Sequence, residues 1–200
     1  MKITLNGADY NRIMRVCGPA ISKEKRDEAL QYIEIQCNGQ GEGCATACDR
    51  FILAQTRFSC HGDKGVYLIR PTKTVRNDDC IIEIAKENGK ISISNGEETV
   101  TRAECASSYI CHADICKNAQ KGKPKVTIAF SVRLLKQMLK SYDTGRQIVY
   151  LEMREPEKAV IVKSSDGGCG LALPMKINGE YEEPEFWRME ADDTKEADAK

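Results

Sequence analysis

The feature that most limits how this chain can fold is a recurring order of elements: strand, helix, then three strands. Lys2–Leu5 reads as a short strand, Asn6 offers an N-cap, and a helix from about Ala8 to Cys17 stops at Gly18-Pro19. Three β-like runs follow, Ala29–Cys37, Gly43–Asp49 and Phe51–Ser59, with Asn38-Gly39 marking the first hairpin. The order then repeats. Val66–Arg70 is strand-like, Pro71 to Asp79 is too polar and short for a good amphipathic helix, and Cys80–Lys86, Lys90–Ser94 and Glu98–Ala103 form a meander turning at Asn88-Gly89 and Asn95-Gly96. Alternation at Ile82, Ile84 and at Ile91, Ile93 predicts one buried and one wet face.

A third copy is the clearest. Val126–Phe130 is a strand and Ser131 caps a helix to about Ser141, with Gly145 beyond its end. Strands Ile148–Arg154, Ala159–Ser164 and Leu171–Met175 are joined through Glu155-Pro156-Glu157 and Asp166-Gly167-Gly168. Between the second and third copies, Ser107 to Gln120 predicts a short helix and residues 121–125 an exposed linker. One such unit leaves its apolar face open, so units must stack.

Composition bounds the function. At 200 residues the chain has room for one large or two small domains. It has no apolar run of about 18 residues, and its N-terminus lacks the pattern of a signal peptide. The expected location is therefore the cytoplasm, where thiols stay reduced. Of the ten cysteines, Cys17, Cys37, Cys60, Cys80 and Cys169 are expected as small buried apolar residues. Cys44 and Cys48 flank three residues, no CxxC occurs, and a zinc site from Cys105, Cys111, His112 and Cys116 is the weaker reading; no metal or cofactor is expected. The zero net charge hides an asymmetry. Residues 178–200 hold nine acids and three bases, leaving 27 bases against 21 acids before them. A basic body with an acidic, mobile tail is compatible with a nucleic-acid partner, as it is with an ordinary solvated surface.

Three blocks add a resemblance. The run Ala129-Phe130-Ser131-Val132-Arg133-Leu134-Leu135, through Ser165-Asp166-Gly167 to Leu173-Pro174-Met175-Lys176-Ile177, resembles the last half-domain of the bacterial sliding clamp, the β subunit that makes replicative DNA polymerase processive. The block from Ala45-Thr46-Ala47-Cys48-Asp49-Arg50 to Phe51-Ile52-Leu53-Ala54 is similar to the clamp's Ala-Thr-Asp-Gly-His-Arg-Leu-Ala strand pair, with Cys48-Asp49 in place of Gly-His. Tyr67-Leu68-Ile69-Arg70-Pro71-Thr72-Lys73 resembles the segment that follows it, Phe-Val-Ile-Pro-Arg-Lys. The resemblance implies an α+β, DNA-clamp-like fold, with helices packed on antiparallel sheets. It also implies a clamp-like domain at 1–104, a second, incomplete one at 105–177 and the acidic tail at 178–200.

Two sites are expected. On the helix after Ser131, Leu134, Leu135, Met138, Leu139 and Tyr142 share one stripe, which can bury its leucines against a sheet, and Arg133, Lys136, Gln137 and Lys140 share the other. On the first helix Tyr10, Ile13, Met14 and Cys17 oppose Arg12 and Arg15. In a clamp such basic stripes face DNA phosphates; otherwise they only solvate a helix. The resemblance also implies a partner-peptide groove from Thr46, Arg50, Ile52 and Leu53, from Leu68 and Pro71, and from Leu173, Pro174 and Met175. The bland reading makes Leu173 and Met175 sheet residues and Pro174 the end of an edge strand. Catalysis has little support, since His61 and His112 lack a nucleophile or metal setting and neither a P-loop nor a GxGxxG is present. The expectation is a non-enzymatic, homo-oligomeric scaffold that associates with duplex DNA and binds polymerases or other replication proteins through short linear motifs, without a membrane. The alternative is a clamp-fold interaction protein that forms no ring and binds a polymerase or host clamp. A small enzyme with an unseen site ranks third.

Overall fold

A computed structural model describes residues 1–110, 112–119, 126–141, 148–155, 158–165 and 167–175. Cys111, the linker 121–125, Tyr142, Gly145, Pro156-Glu157, Asp166, Lys176-Ile177 and the tail 178–200 lie outside the described residues. The chain divides into two compact units, one containing Met1–Asn118 and the other Ala119–Glu185.

In the first unit β1 (Lys2–Asn6) runs into α1 (Gly7–Cys17) and then β2 (Ile33–Cys37), β3 (Glu42–Cys48) and β4 (Leu53–Ser59). The two-residue β5 (His61–Gly62) leads to β6 (Gly65–Ile69), and β7 (Ile81–Glu87), β8 (Lys90–Ser94) and β9 (Thr99–Ala103) form the second meander. The expected run Ala29–Cys37 is shorter as a strand, because Ala29–Gln31 winds into a 3-10 turn. Segment 70–80 is not helical, as its polarity predicts.

The two repeats exchange their leading strands. β1 pairs antiparallel with β7 of the second repeat, with Ile3 opposite Ile84 and Leu5 opposite Ile82. β6 pairs with β2 of the first, with Ile69 opposite Ile33 and Tyr67 opposite Ile35. The result is a five-stranded sheet, β5-β1-β7-β8-β9, and a four-stranded one, β4-β3-β2-β6. The period of two sends Ile3, Leu5, Ile82 and Ile84 from one sheet, and Ile33, Ile35, Tyr67 and Ile69 from the other, into one core. Tyr10, Ile13, Met14 and Cys17 of α1 join it. Each of these large apolar side chains contributes about 1.5–3 kcal/mol by burial. The hairpin between β7 and β8 has Asn88 at φ 51° and Gly89 at φ 70°, the paired left-handed residues that a tight two-residue loop requires.

The second repeat lacks a helix, and its loop is strapped to α1 instead. Asn6 caps the helix by accepting from Asp9 N–H at 2.7 Å. The freed N–H groups of Gly7 and Ala8 donate to the carbonyls of Cys80 (2.8 Å) and Asp78 (2.9 Å). Asn11 donates to Val75 O at 3.0 Å and Asp78 Oδ1 at 2.7 Å, and accepts from Val75 N–H at 2.8 Å. Tyr10 OH bonds Thr72 Oγ1. Gly7 is needed here, since an added Cβ would lie 2.4 Å from Asn77 O. An open cavity of about 1070 Å3 lies between this loop and the five-stranded sheet, over Ile82, Ile93 and Val100.

After β9 the chain turns onto the outer face of the four-stranded sheet, where α2 (His112–Ala119) is the short helix expected within 107–120. Tyr109 OH donates to the carbonyls of Tyr32 and Thr46, each at 3.4 Å.

The second unit holds α3 (Val132–Ser141) and a three-stranded sheet of β10 (Val149–Glu152), β11 (Val160–Ser164) and β12 (Cys169–Ala172). Leu135 N–H donates to Ser131 O at 2.9 Å, so the helix opens where expected. Val126–Phe130 is not a strand; its backbone tie to the sheet's end is Met175 N–H to Ala129 O at 2.8 Å. β1 and β6 pair because each finds the other repeat's meander, and 126–130 has no such partner among the described residues. The same incompleteness corrects the expected burial of the α3 stripe. Leu135 and Met138 are half-buried, but Leu134 is 54% and Leu139 37% exposed. Two cysteine expectations also fail: Cys80 is half-buried at a loop end and Cys169 is exposed on β12, whereas Cys17, Cys37 and Cys60 are buried.

Candidate partner groove and basic helices

The turn between β3 and β4 is closed by a small network of hydrogen bonds. Asp49 accepts the N–H of Phe51 at 3.0 Å and of Ile52 at 2.8 Å, and these bonds hold its carboxyl below the usual carboxylate range. Asp49 N–H donates to Ile52 O at 3.2 Å, closing the turn. Arg50 sits at φ 80°, a left-handed conformation costly for a side chain with a Cβ. Its guanidinium bonds the buried carboxylate of Asp27, which offsets that cost.

With both ends fixed, the turn pushes Phe51 out to 92% exposure and leaves Ile52 half exposed. These side chains line an open cavity of about 690 Å3, together with the buried Leu30 and Cys48 and with Ile110 and the exposed Ile115. Ser107 Oγ donates to Glu28 at 3.0 Å, so the segment after β9 forms a strap tied to the cavity's edge. Arg26 and Arg50 face Asp27 and Glu28 around the lining, so its charge is balanced and its walls are apolar. Such a cavity suits apolar anchor side chains carried on a short peptide.

The structure gathers only part of the expected groove here. Arg50, Ile52 and Leu53 line the cavity. Thr46 is buried beneath the strap, its hydroxyl accepting from Gln55 Nε2 at 3.1 Å. Leu68 faces Glu34 across the β2–β6 pair, and Pro71 lines the other cavity, above the five-stranded sheet. Leu173, Pro174 and Met175 follow β12 in the second unit, where Leu173 and Met175 are exposed. Phe51, Leu30, Ile110 and Ile115 were not singled out from the sequence. Phe51 carried a usable signal, an apolar residue directly after the turn-forming Asp49-Arg50, which reading it as the start of a strand concealed.

The basic stripes differ. Arg12 donates to Asp9 Oδ1 and to Arg57 O, each at 2.6 Å, so its guanidinium is drawn onto β4; Arg15, one turn on, is exposed. On α3, Arg133, Lys136 and Lys140 are all exposed. His61 is exposed on β5, and His112 is buried against Glu34. No cluster among the described residues could hold a metal ion, and Cys105 donates its thiol to Ser107 O at 3.6 Å. No helix among the described residues is long and apolar enough to cross a membrane.

No protein-family model matches the sequence, and no curated protein matches it. Solved structures do. The DNA polymerase sliding clamp from Bacillus subtilis superposes with a TM-score of 0.70 at 14% identity, over 90% of this chain and 50% of that one. The DNA polymerase III β chain from Streptococcus pneumoniae gives 0.69 at 17% identity, over 90% and 51%. The β subunit from Pseudomonas aeruginosa gives 0.67 at 11%, over 90% and 52%. The chain spans about half the length of these clamps. It has the α+β sliding-clamp fold, as a divergent member of that fold.

Proposed function

We propose that this clamp-fold chain is a non-enzymatic scaffold of DNA replication or repair, one that captures partner proteins by short linear motifs and associates with duplex DNA. The observation that carries the reading is the cavity beside Phe51. Three residues expected to bind partner peptides, Arg50, Ile52 and Leu53, converge there on an apolar-walled opening. Its rim is braced by the Asp49 turn and the Arg50–Asp27 pair, so the pocket is preorganised and ordering costs little on binding. Leu173, Pro174 and Met175 serve as a separate apolar anchor of the second unit. Association with DNA is assigned to Arg15 and to Arg133, Lys136 and Lys140, with a smaller share for Arg12. Clamp-type action also implies a homo-oligomer, a location in the cytoplasm, and a division of labour among 1–104, 105–177 and the acidic 178–200.

The test is direct. A fluorescent peptide carrying a clamp-binding motif is titrated with the full chain, and retention on nicked circular and linear duplexes is compared. Saturable peptide binding that weakens in Ile52→Ala/Leu53→Ala, with circular DNA held longer, supports the reading. Saturable peptide binding with no preference for circular DNA favours an interaction protein without a ring, a reading that the tethered Arg12 also supports. Absence of peptide binding overturns the groove.

A further inference from the structure

Cys37 ends β2 on the inward face shared with Ile33 and Ile35, and Cys60 follows β4. Their Sγ atoms are 2.9 Å apart, and the residues are 0% and 2% exposed. The two lie 23 positions apart in sequence and meet at a structural crossing. Cys60 N–H bonds Gly41 O at 3.0 Å, and the chain then leaves the four-stranded sheet for β5, which pairs with β1 of the five-stranded sheet. A bond between these sulfurs would tie β2 to the strand that links both sheets. Neither thiol serves the partner groove or the basic helices.

We propose that Cys37 and Cys60 form an oxidisable dithiol that closes to an intramolecular disulfide. The sulfurs need to approach by roughly 0.9 Å to reach bonding distance. The pair also sets an order of reaction. The Cys37 thiol hydrogen-bonds Cys60, which holds the Cys60 thiol down, while that bond and burial push the Cys37 thiol up. With a peroxide as oxidant, the Cys60 thiolate attacks one oxygen, giving a sulfenic acid and, after protonation, one water. Cys37 sulfur then attacks the Cys60 sulfur, its proton leaving with the displaced hydroxide as a second water. Two thiols and one hydrogen peroxide become one disulfide and two waters.

The neighbourhood favours closure over further oxidation. The resolving sulfur is already in contact, whereas additional peroxide must enter a core between Tyr67 and the two sheets. The cross-link closes a long loop of the unfolded chain and so raises the melting temperature. The exposed Cys169 is the competing route, and it gives cross-links between chains.

The experiment uses the full chain, dilute, treated with hydrogen peroxide, quenched, unfolded and blocked with N-ethylmaleimide before peptide mapping. A linked peptide pair joining Cys37 to Cys60, released by dithiothreitol, is expected. So is a melting temperature higher than that of the reduced chain by roughly 10 °C, an increment absent from Cys37→Ser and Cys60→Ser. Recovery of both cysteines as maleimide adducts, or as separate sulfinic acids, overturns the proposal, and so does a linked chain that melts no higher. The mapping on the unaltered chain decides the matter even where a serine variant does not fold.

Discussion

His112 Nδ1 lies 3.4 Å from Glu34 Oε1, and both side chains are buried where the strap after β9 covers the four-stranded sheet. The distance is that of an ion pair, yet burial pushes the Glu34 carboxyl up to about 7 and the imidazole of His112 down. Desolvation thus wins on both sides. Between the depressed value of His112 and about 7 both groups are neutral, so they face each other without an ion pair. Gln36 Nε2 donates to Glu34 Oε1 at 2.8 Å, and Tyr109 meets the His112 ring edge-on at 6.4 Å.

The signs follow by linkage. Glu34 ionises at about 4.5 when unfolded and about 7 when folded, so its contribution is complete below 4.5 and is lost as pH rises to 7. His112 acts oppositely, its contribution being present above 6.5 and lost as pH falls through its depressed folded value. Glu34→Gln should therefore gain on the unaltered chain between pH 5 and pH 7.5, by roughly 3 kcal/mol at most. Urea unfolding at the two pH values measures this. An equal difference at both would refute the buried carboxyl as its source.

The loop strap predicts a second cost. Asn11 makes three hydrogen bonds to 75–78, where a complete repeat would have its helix. Asn11→Ala leaves Val75 N–H and O without them, for a loss of about 2–3 kcal/mol. Gly7→Ala should cost at least as much, because the new methyl meets the backbone oxygen of Asn77 rather than a yielding side chain. Chemical denaturation of both variants checks the pair.

These elements also show what was legible in the residues. The first two repeats could be read because Asn6 and Gly18-Pro19 in the first, and the alternation at Ile82, Ile84 in the second, are local signals of cap, stop and face. The exchange of β1 and β6 was not legible, since pairing between distant strands leaves no local mark. Burial of the α3 stripe was misjudged for a related reason: periodicity shows that Leu134 has an apolar side, not that anything covers it. Of the groove, the Arg50-to-Leu53 run was legible through resemblance. Phe51 and Ile115 were not, because their exposure depends on a turn and a strap folded together in space.

Phe51 separates binding from stability. At 92% exposure it contributes almost nothing to the core, so Phe51→Ser should change unfolding free energy by less than about 0.5 kcal/mol. As the groove's most projecting apolar wall, it should cost tenfold or more in peptide affinity, read by anisotropy. Leu173→Ala with Met175→Ala tests the second unit separately, with weaker peptide binding expected.

The basic face of α3 yields the sharpest prediction about DNA. Arg133, Lys136 and Lys140 are exposed along one helix, so replacing all three with Glu alters charge without removing core packing. Duplex association should be abolished at moderate salt. In the unaltered chain, affinity should fall steeply as salt rises, with a slope set by the number of phosphates neutralised. Arg12 is a poor choice for the same test, since Arg12→Glu would place a carboxylate beside Asp9 and break the tie to Arg57 O, mixing folding with binding. Arg15→Glu is the clean counterpart on α1, because its side chain is exposed. If the triple variant binds duplex with unchanged affinity and salt slope, the basic stripe of α3 does no more than solvate its helix, and DNA association must be sought on another surface.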